Sequence, residues 1–434
     1  MNGKVGGPPS KSPCDRWAVG SWCVFDWANS PFPAVVLTFV IPAYFVDAVM
    51  EDPARAAELW AIMTGVAALS IALLSPMLGA IADQGRARKP WLALFTVIMV
   101  VGSLGLWFVR PDASDALLLL VLVGGTVVAF ELSTVFYNAL LPSLVPGDWF
   151  GRISGWAWGL GYFGGVGGLL LVLFVFVLAD PPPFGLDGAS GVLENVRMSG
   201  PVVALWLLLF CVPLFLWTPD PRGRGLPLAS AIRTGLVELK QTLRNLPNHP
   251  QLWRFLLARM LFTDGLNTLF AFGGIFAAGT FGMPVAEVIM FGVILNITAG
   301  LGAFLFGWID DRIGAKTTIL IGIVGIVVVG TSLLIVESKL VFIILGAALG
   351  VFFGPVQAAS RSMMARITPP GRESEMFGLY ALSGKATAFM GPWAVAVVTA
   401  VTGSQRWGMA TVLPFLIIGG LLLLFTVRDM PARR

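Results

Sequence analysis

Long apolar runs recur along the whole chain, and they constrain its fold more than any other feature. A helix of about 20 mostly apolar residues crosses the ~30 Å hydrocarbon core of a bilayer. Only 12% of the residues are charged, against roughly a quarter in soluble domains. We therefore expect an all-α integral membrane protein with twelve transmembrane helices, at about 18–46, 57–82, 90–109, 115–140, 152–178, 201–217, 252–276, 285–309, 316–335, 340–360, 374–401 and 409–427.

Residues that build metal centres and histidine-based catalytic sites are scarce in this chain. It has three cysteines and one histidine, His249, and none of them has the spacing of metal ligands. We expect no catalytic residues, no metal and no cofactor, and therefore no enzyme. The net charge of +4 is explained by membrane topology rather than by nucleic acid binding.

Lysine and arginine are distributed unevenly between the two sides of the predicted bundle. Loops retained in the cytoplasm carry the excess of basic residues. We therefore predict a multi-pass protein of the bacterial cytoplasmic membrane with both termini inside, whose first span serves as its own insertion signal. In this orientation the outer loops hold only a few of the 28 basic residues: Arg55, Arg110, Arg197, Lys339 and Arg406.

The chain resembles two copies of one six-span unit. Gly79-x3-Asp83 follows the second span and Gly307-x3-Asp311 follows the eighth, and Asp26-Trp27-Ala28-Asn29 in the first span matches Asp264-Gly265-Leu266-Asn267 in the seventh. The polar connection between the copies has apolar residues at helical spacing over 228–246, which predicts an amphipathic helix on the membrane surface. The expected regions are a cytoplasmic N-terminus at 1–17, bundles at 18–217 and 252–427, a linker at 218–251 and a tail at 428–434.

The Gly-x3-Asp-Arg-x-Gly-x-Lys loop is the signature of the major facilitator superfamily, which the chain resembles in both halves. Phe25-Asp26-Trp27-Ala28-Asn29-Ser30 and Leu379-Tyr380-Ala381-Leu382-Ser383-Gly384-Lys385 are similar to motifs of its vacuole-effluxer-like branch. Eukaryotic members of that branch are similar to autophagy-linked vacuolar amino-acid exporters. The resemblance implies two pseudo-symmetric six-helix bundles around a central cavity, and it implies transport by alternating access.

Three acids within the spans are candidates for proton coupling: Asp26, Glu131 and Asp264. A charge at the bilayer centre costs a few kcal/mol or more, so such residues are usually paired or functional. Burial favours the protonated form of a carboxyl, which suits a group that binds and releases a proton. Asp26 and Asn29 share a helix face, and the repeat places Asp264 and Asn267 on the matching face. We expect the two pairs to face each other across the cavity; the alternative is that both acids are structural.

Polar residues of spans four, ten and eleven complete the predicted substrate site. Glu131 and Lys385 offer partners for an ammonium and a carboxylate, although a simple ion pair between them is the alternative. The predicted substrate contacts are Asn29, Glu131, Tyr137, Asn138, Asn267, Gln357 and Lys385.

The two signature loops are predicted to latch the halves together on the cytoplasmic side in one state and to release them in the other. The basic residues of these loops also set the topology, and we expect both roles. The predicted latch residues are Asp83, Arg86, Arg88, Asp311, Arg312 and Lys316.

Together these patterns predict a secondary transporter for a small solute such as an amino acid or a similar zwitterion. We expect proton coupling, a lean toward export, a monomer in the lipid bilayer and no nucleic acid partner. One alternative is an exporter of amphipathic drugs or lipids, which would need more aromatic and fewer charged residues in its cavity. Another alternative is a transport-inactive sensor or scaffold.

Overall fold

The computed structural model of the protein describes residues 15–85, 87–179, 181, 183–186, 192–221 and 223–428. The predicted latch residue Arg86 lies outside this part, as do 1–14 of the predicted N-terminus and 429–434 of the predicted tail. Twelve helical segments in the described part are long and apolar enough to cross a membrane, which confirms the predicted number. Spans 1 to 6 are Arg16–Val49, Pro53–Gln84, Lys89–Phe108, Ala113–Leu144, Gly147–Val177 and Glu194–Trp217. Spans 7 to 12 are Pro250–Phe281, Val285–Ile313, Ala315–Ile335, Lys339–Ile367, Glu373–Thr402 and Gln405–Thr426.

Local sequence signals explain where spans begin and bend. Span 2 begins after Asp52, whose carboxylate accepts a hydrogen bond from the Ala54 amide (2.9 Å), with Pro53 at the first helical position. Span 1 has π-helical geometry over Phe32–Phe39, directly after Pro31. A proline lacks the amide hydrogen that an α-helix needs, so the helix changes its hydrogen-bonding pattern at this point.

The six spans of each half pack in the same pattern. In the N-terminal half, span 1 contacts spans 5 and 6, and span 4 contacts spans 2 and 3. In the C-terminal half, span 7 contacts spans 11 and 12, and span 10 contacts spans 8 and 9. The predicted fold of two pseudo-symmetric six-helix bundles is therefore confirmed.

The halves meet through two equivalent helix pairs, span 2 with span 11 and span 5 with span 8. A Cβ atom on Gly79 would lie 2.2 Å from the Ser374 carbonyl oxygen, and one on Gly155 would lie 2.4 Å from the Ala303 carbonyl oxygen. Glycine is required here because no other residue permits such close backbone approach. Spans 2 and 11 meet at the ends that face the connection between Trp217 and Pro250, and we call this side of the membrane the linker side.

A helix in the linker contacts both halves. It covers Leu228–Asn245 and packs against span 2. Its Glu238 accepts a hydrogen bond from Gln84 Nε2 (2.9 Å) of the N-terminal half. On the other side Arg372, which directly precedes span 11, donates to Thr242 Oγ1 (3.1 Å). The linker helix therefore adds polar contacts at the side where the halves are already in close contact.

Candidate functional site

A cavity of about 620 Å³ lies between the two halves. Spans 1, 4 and 5 of the N-terminal half and spans 7, 8, 10 and 11 of the C-terminal half line it. Arg361, which lies toward the linker side, is only 3% exposed, whereas Asn267 and Thr38 are exposed. The cavity is therefore closed toward the linker side and opens to the opposite side of the membrane. Five charged side chains contribute to its walls: Asp26, Glu131, Arg259, Arg361 and Lys385.

Asp26 forms an ion pair with an arginine of the other half. Its Oδ2 atom lies 2.9 Å from Arg361 Nη1, and the Asp26 side chain is only 14% exposed. Arg361 also donates to Asn138 Oδ1 (3.3 Å). Because Asp26 and Asn138 belong to the N-terminal half and Arg361 to span 10, this cluster ties the halves together at the closed end of the cavity.

Arg361 is held firmly by span 5 and by aromatic rings. Its Nε and Nη2 atoms donate to the side-chain and backbone oxygens of Ser154 (2.9 and 2.8 Å). The guanidinium carbon lies 4.9 Å from the ring centroid of Trp22 and 5.6 Å from that of Trp158. Such cation–π contacts and charge-assisted hydrogen bonds are strong where water is excluded. The surroundings therefore stabilise a permanent positive charge beneath the cavity.

Glu131 and Lys385 form a second ion pair between the halves. Glu131 Oε1 of span 4 lies 2.6 Å from Lys385 Nζ of span 11, and the side chains are 22% and 26% exposed. This is the ion pair that the sequence left open as an alternative to substrate binding. Both side chains line the cavity, so each remains within reach of a solute.

The predicted amide contacts lie in the cavity wall. Asn29, Asn267 and Gln357 all line it, and Asn267 is exposed while Asn29 is 3% exposed. Asn29 Nδ2 is buried and has no hydrogen-bond partner among the described residues. The asparagine of span 1 and that of span 7 therefore lie on opposite walls, one from each half.

Tyr137, another predicted substrate contact, lines the cavity, but its side chain already has partners in the protein. Its side chain is fully buried, its ring stacks on that of Trp22 with centroids 4.5 Å apart, and its hydroxyl donates to the Trp22 carbonyl (3.1 Å). The hydroxyl is therefore already used between spans 1 and 4. The Tyr137 ring centroid lies 5.6 Å from the Arg361 guanidinium carbon, and its hydroxyl proton is not free to bind a solute.

Asp264 lies outside the cavity lining, so the predicted face-to-face arrangement with Asp26 is wrong. Span 11 consists of two helices, Glu373–Lys385 and Met390–Thr402. The Asp264 side chain is 1% exposed, and its Oδ2 accepts a hydrogen bond from the Gly391 amide (3.3 Å) at the start of the second helix. The Asp264 carboxylate therefore accepts a hydrogen bond at the N-terminus of a helix in its own half, where the helix dipole favours a negative charge.

The rotation of span 7 explains this difference. Asp264 and Asn267 are three residues apart, which separates them by about 60° around the helix. Asn267 faces the cavity, and this offset is enough to turn Asp264 toward span 11. Two residues at this spacing share a helix face but therefore need not line the same cavity.

The first signature loop contacts the start of span 11. The Asp83 carboxylate accepts hydrogen bonds from the Ser374 and Glu375 amides (3.1 and 2.8 Å). Arg88 Nη2 lies 3.0 Å from Asp83 and 2.5 Å from Glu373 Oε2. Asp83 and Arg88 belong to the N-terminal half, whereas Glu373, Ser374 and Glu375 belong to the C-terminal half, so this loop joins the halves on the linker side.

The second signature loop makes the equivalent contact with span 5. Asp311 accepts hydrogen bonds from the Gly151 amide (2.8 Å) and from Arg152 Nε (2.5 Å). The predicted basic partners are not used, because Arg312 is exposed and neither it nor Lys316 forms an ion pair in the described part of the chain. The cation that crosses between the halves is instead Arg152. The latch role of Arg312 and Lys316 is therefore corrected by the structure.

Arg259 and Arg361 are cavity residues that the sequence did not assign to the site. Arg361 is one turn beyond Gln357 on span 10, and Arg259 lies two turns before Asn267 on span 7. Residues spaced by four or eight positions share a helix face. Both arginines could have been predicted by following the lining faces of Gln357 and Asn267 along their helices by one or two turns.

Twelve spans in two pseudo-symmetric halves around a charged central cavity define a membrane transporter of the major facilitator type. The family model described as vacuole effluxer Atg22 like matches residues 54–149 and 150–433. The chain therefore belongs to this family, as the sequence motifs predicted.

Relatives of known sequence support the same class. The uncharacterized MFS-type transporter YxiO of Bacillus subtilis is 28% identical over 414 residues, which cover 94% of each chain. Autophagy-related protein 22 of Cryptococcus neoformans is 26% identical over 293 residues, which cover 62% of this chain and 48% of that protein. The chain thus matches about half the length of this fungal relative.

Solved structures share the fold at low sequence identity. The human organic anion transporter MFSD10 superposes with a TM-score of 0.72 at 14% identity, covering 95% of this chain and 100% of that one. The transporter FucP in its outward conformation gives a TM-score of 0.72 at 13% identity, covering 95% and 99%. These structures share the fold with the chain, and the family and its relatives indicate a small-molecule transporter rather than an enzyme.

Proposed function

We propose that the protein is a secondary active transporter that moves an amino acid or a similar small zwitterion by alternating access, coupled to protons. One observation carries this proposal: the ion pairs Asp26–Arg361 and Glu131–Lys385 both line the cavity and both join the two halves. Any movement that opens the linker side must therefore act on charges that a proton or a zwitterion can neutralise.

Proton coupling follows from the cost of separating buried charges. Removing one partner from a buried ion pair is strongly unfavourable, by about 3–5 kcal/mol. A proton on Asp26 or Glu131 removes the attraction between the halves and leaves the cation of the pair uncompensated, which destabilises the closed state and so lowers the barrier to the switch. Asp26 is the first candidate, because its pair lies deepest. Asp264 bonds within its own half, and we assign it a structural role.

Zwitterion binding follows from the same pairs. An ammonium group can replace Lys385 beside Glu131, since both side chains are partly exposed to the cavity. The Asn29, Asn267 and Gln357 amides supply hydrogen bonds to a polar backbone from both walls. The five charged side chains favour this reading over an exporter of amphipathic drugs or lipids.

The signature contacts serve as the latch of this cycle. Asp83 with Arg88 and Asp311 with Arg152 each hold one half against a helix terminus of the other. These contacts must break when the linker side opens, and new contacts must form on the opposite side. The latch therefore sets the energy difference between the two states.

We further propose that the linker side is cytoplasmic and that the membrane is the bacterial cytoplasmic membrane. The excess of lysine and arginine on the linker side supports this orientation. The cavity then faces outward in the present structure. The resemblance to effluxers favours export. We also propose that the protein acts as a monomer, because a single chain encloses the whole cavity. Reporter fusions to the linker and to the outer loops test the orientation.

The decisive experiment measures transport by the purified protein in liposomes. A panel of labelled amino acids is tested with and without an imposed pH gradient, in wild type and in Asp26→Asn. We expect the wild type to accumulate at least one amino acid only with the gradient. The variant should keep exchange of that amino acid across the membrane and lose its gradient-driven accumulation.

A matched control breaks an ion pair that does not join the halves. Glu287→Gln removes the contact between Glu287 and Lys339, which both belong to the C-terminal half and are 41% exposed. This variant should accumulate substrate as the wild type does. Equal accumulation by Asp26→Asn would refute its coupling role, and binding without any transport would favour the sensor alternative.

A further inference from the structure

The cavity contains a buried cation that none of its acids neutralises. Arg259 of span 7 lines the cavity and is 6% exposed. Asp26 is paired with Arg361 and Glu131 with Lys385, and among the described residues no carboxylate forms an ion pair with Arg259. Of the five charged side chains in the lining, Arg259 is therefore the one whose charge the protein leaves uncompensated.

The nearest acid along the chain does not fill this role. Asp264 follows Arg259 by five residues, but its carboxylate accepts a hydrogen bond from the Gly391 amide. Arg259 instead stacks on Tyr380, with its guanidinium carbon 3.4 Å from the ring centroid. Cation–π contact offsets part of the cost of burial, but it leaves the net positive charge in place.

One edge of the Arg259 guanidinium is hydrogen-bonded, and the other has no hydrogen-bond partner among the described residues. Nη1 donates to the Tyr380 carbonyl oxygen (2.6 Å) and to Ser383 Oγ (2.8 Å). Nε is buried without a hydrogen-bond partner, and Nη2 makes none within the described residues. Nε and Nη2 form the edge with which arginine binds a carboxylate through two parallel hydrogen bonds.

Glycine at position 384 lets the guanidinium lie against span 11. A Cβ atom on Gly384 would lie 3.0 Å from Arg259 Nη1 and 3.3 Å from Nη2. The next residue, Lys385, holds Glu131 at the same level of the cavity. An anion-binding group and an acid therefore occur close together on the C-terminal wall and its facing span 4.

We propose that Arg259 is the anion-recognition residue of the cavity and that it binds the carboxylate of an organic acid or zwitterion through its Nε–Nη2 edge, whose donors have no partner in the described part of the chain. The transported solute therefore carries a carboxylate, and the cavity accepts one net negative charge more than its own acids supply. This inference rests on the proposed function in treating the bound solute as the transported substrate. The binding itself can be measured without transport.

The test compares carboxylates with their uncharged counterparts on the purified full chain. The probes are the twenty L-amino acids, their amides, a set of short-chain carboxylates and inorganic phosphate, scored by the shift in Tm and by titration. We expect stabilisation by amino acids or carboxylates and none by the matched amides. Arg259→Gln should weaken carboxylate binding by about 10- to 100-fold, as expected for loss of a two-donor contact.

Two further variants keep the result interpretable. Arg406→Gln is the matched control, because Arg406 also donates to backbone carbonyls, of Leu334 and Val336, but lies outside the cavity; its carboxylate affinity should equal that of the wild type. Arg259→Lys keeps the charge without the paired donors. It should bind carboxylates about tenfold more weakly, and it serves if Arg259→Gln does not fold.

The outcomes separate this inference from the proposed transport cycle. Equal binding of acids and amides, stabilisation by phosphate alone, or full affinity in both Arg259 variants would overturn it. Carboxylate binding that needs Arg259 without gradient-driven accumulation supports this inference and refutes proton-coupled transport. Gradient-driven accumulation of a solute that lacks a carboxylate would support proton-coupled transport and refute this inference.

Discussion

Asp26 and Asp264 occupy matching positions of a duplicated motif, but the structure gives them different partners. Asp26 lies in the cavity and pairs with Arg361 of the other half. Asp264 lies against the second helix of span 11 in its own half, where it bonds to Gly391. The two copies therefore share the helix and its acid but use the acid differently. Asp26 joins the two halves, whereas Asp264 stabilises a single half.

Breaking the Asp26–Arg361 ion pair between the halves should cost the most stability. Arg361→Met leaves Asp26 without its cation, and we expect the free energy of unfolding to fall by about 3–5 kcal/mol. The double variant with Asp26→Asn should recover part of this loss, because no unpaired charge remains. Unfolding titrations in mixed micelles measure both values. An additive double variant would contradict an energetic coupling between the two residues.

Two adjacent acids provide a second form of the comparison. Asp311 bonds to Arg152 of the other half (2.5 Å), whereas Asp310 lies 2.6 Å from Arg366 Nη1 within its own half. Asp311→Asn should loosen the linker side and accelerate amide exchange at the start of span 5 by about tenfold, equivalent to about 1.4 kcal/mol. Hydrogen–deuterium exchange with mass spectrometry measures this change.

Asp310→Asn is the control for that experiment. We expect it to lower the stability of the C-terminal half without selective exchange at Gly151 and Arg152. If both variants accelerate exchange there equally, Asp311 has no special part in holding the halves together.

A smaller effect is expected at Asp264. Asp264→Ala removes an acceptor from the start of a helix, which costs about 1 kcal/mol. Asp264→Asn keeps an acceptor for the Gly391 amide, so its stability should stay within about 0.5 kcal/mol of the wild type. Both variants should retain gradient-driven accumulation, in contrast to Asp26→Asn. Loss of coupling in Asp264→Asn would remove the functional distinction between the two acids.

A weaker effect again is expected from a change beside Arg259, the arginine of span 7 that has no ion-pair partner among the described residues. Gly384→Ala places a Cβ atom 3.0 Å from Arg259 Nη1, so the guanidinium must shift by a few tenths of an ångström. We expect carboxylate affinity to fall by about 2- to 10-fold, which corresponds to roughly 0.4–1.4 kcal/mol. Gly273→Ala, at a position with open space around a Cβ atom, is the control and should leave the affinity unchanged. Titration with the best carboxylate probe distinguishes the two variants.

Sequence patterns alone were enough to predict the number of spans, the two-half fold, the family and much of the cavity lining. Apolar length and repeated motifs are local properties, so Asn29, Asn267 and Gln357 could be assigned to lining faces from spacing alone. The Glu131–Lys385 pair was also foreseeable as an alternative, because buried charges of opposite sign tend to pair.

The charged residues that form ion pairs could be identified only from the packing of the helices. Asp26 and Arg361 are 335 positions apart, and no local pattern connects them. The orientation of Asp264 depended on the rotation of span 7 against span 11. The uncompensated charge of Arg259 became visible only once the other four charged side chains of the cavity were seen to pair with one another. The physical reason is that the free energy of a buried charge is set by groups that other helices bring to it.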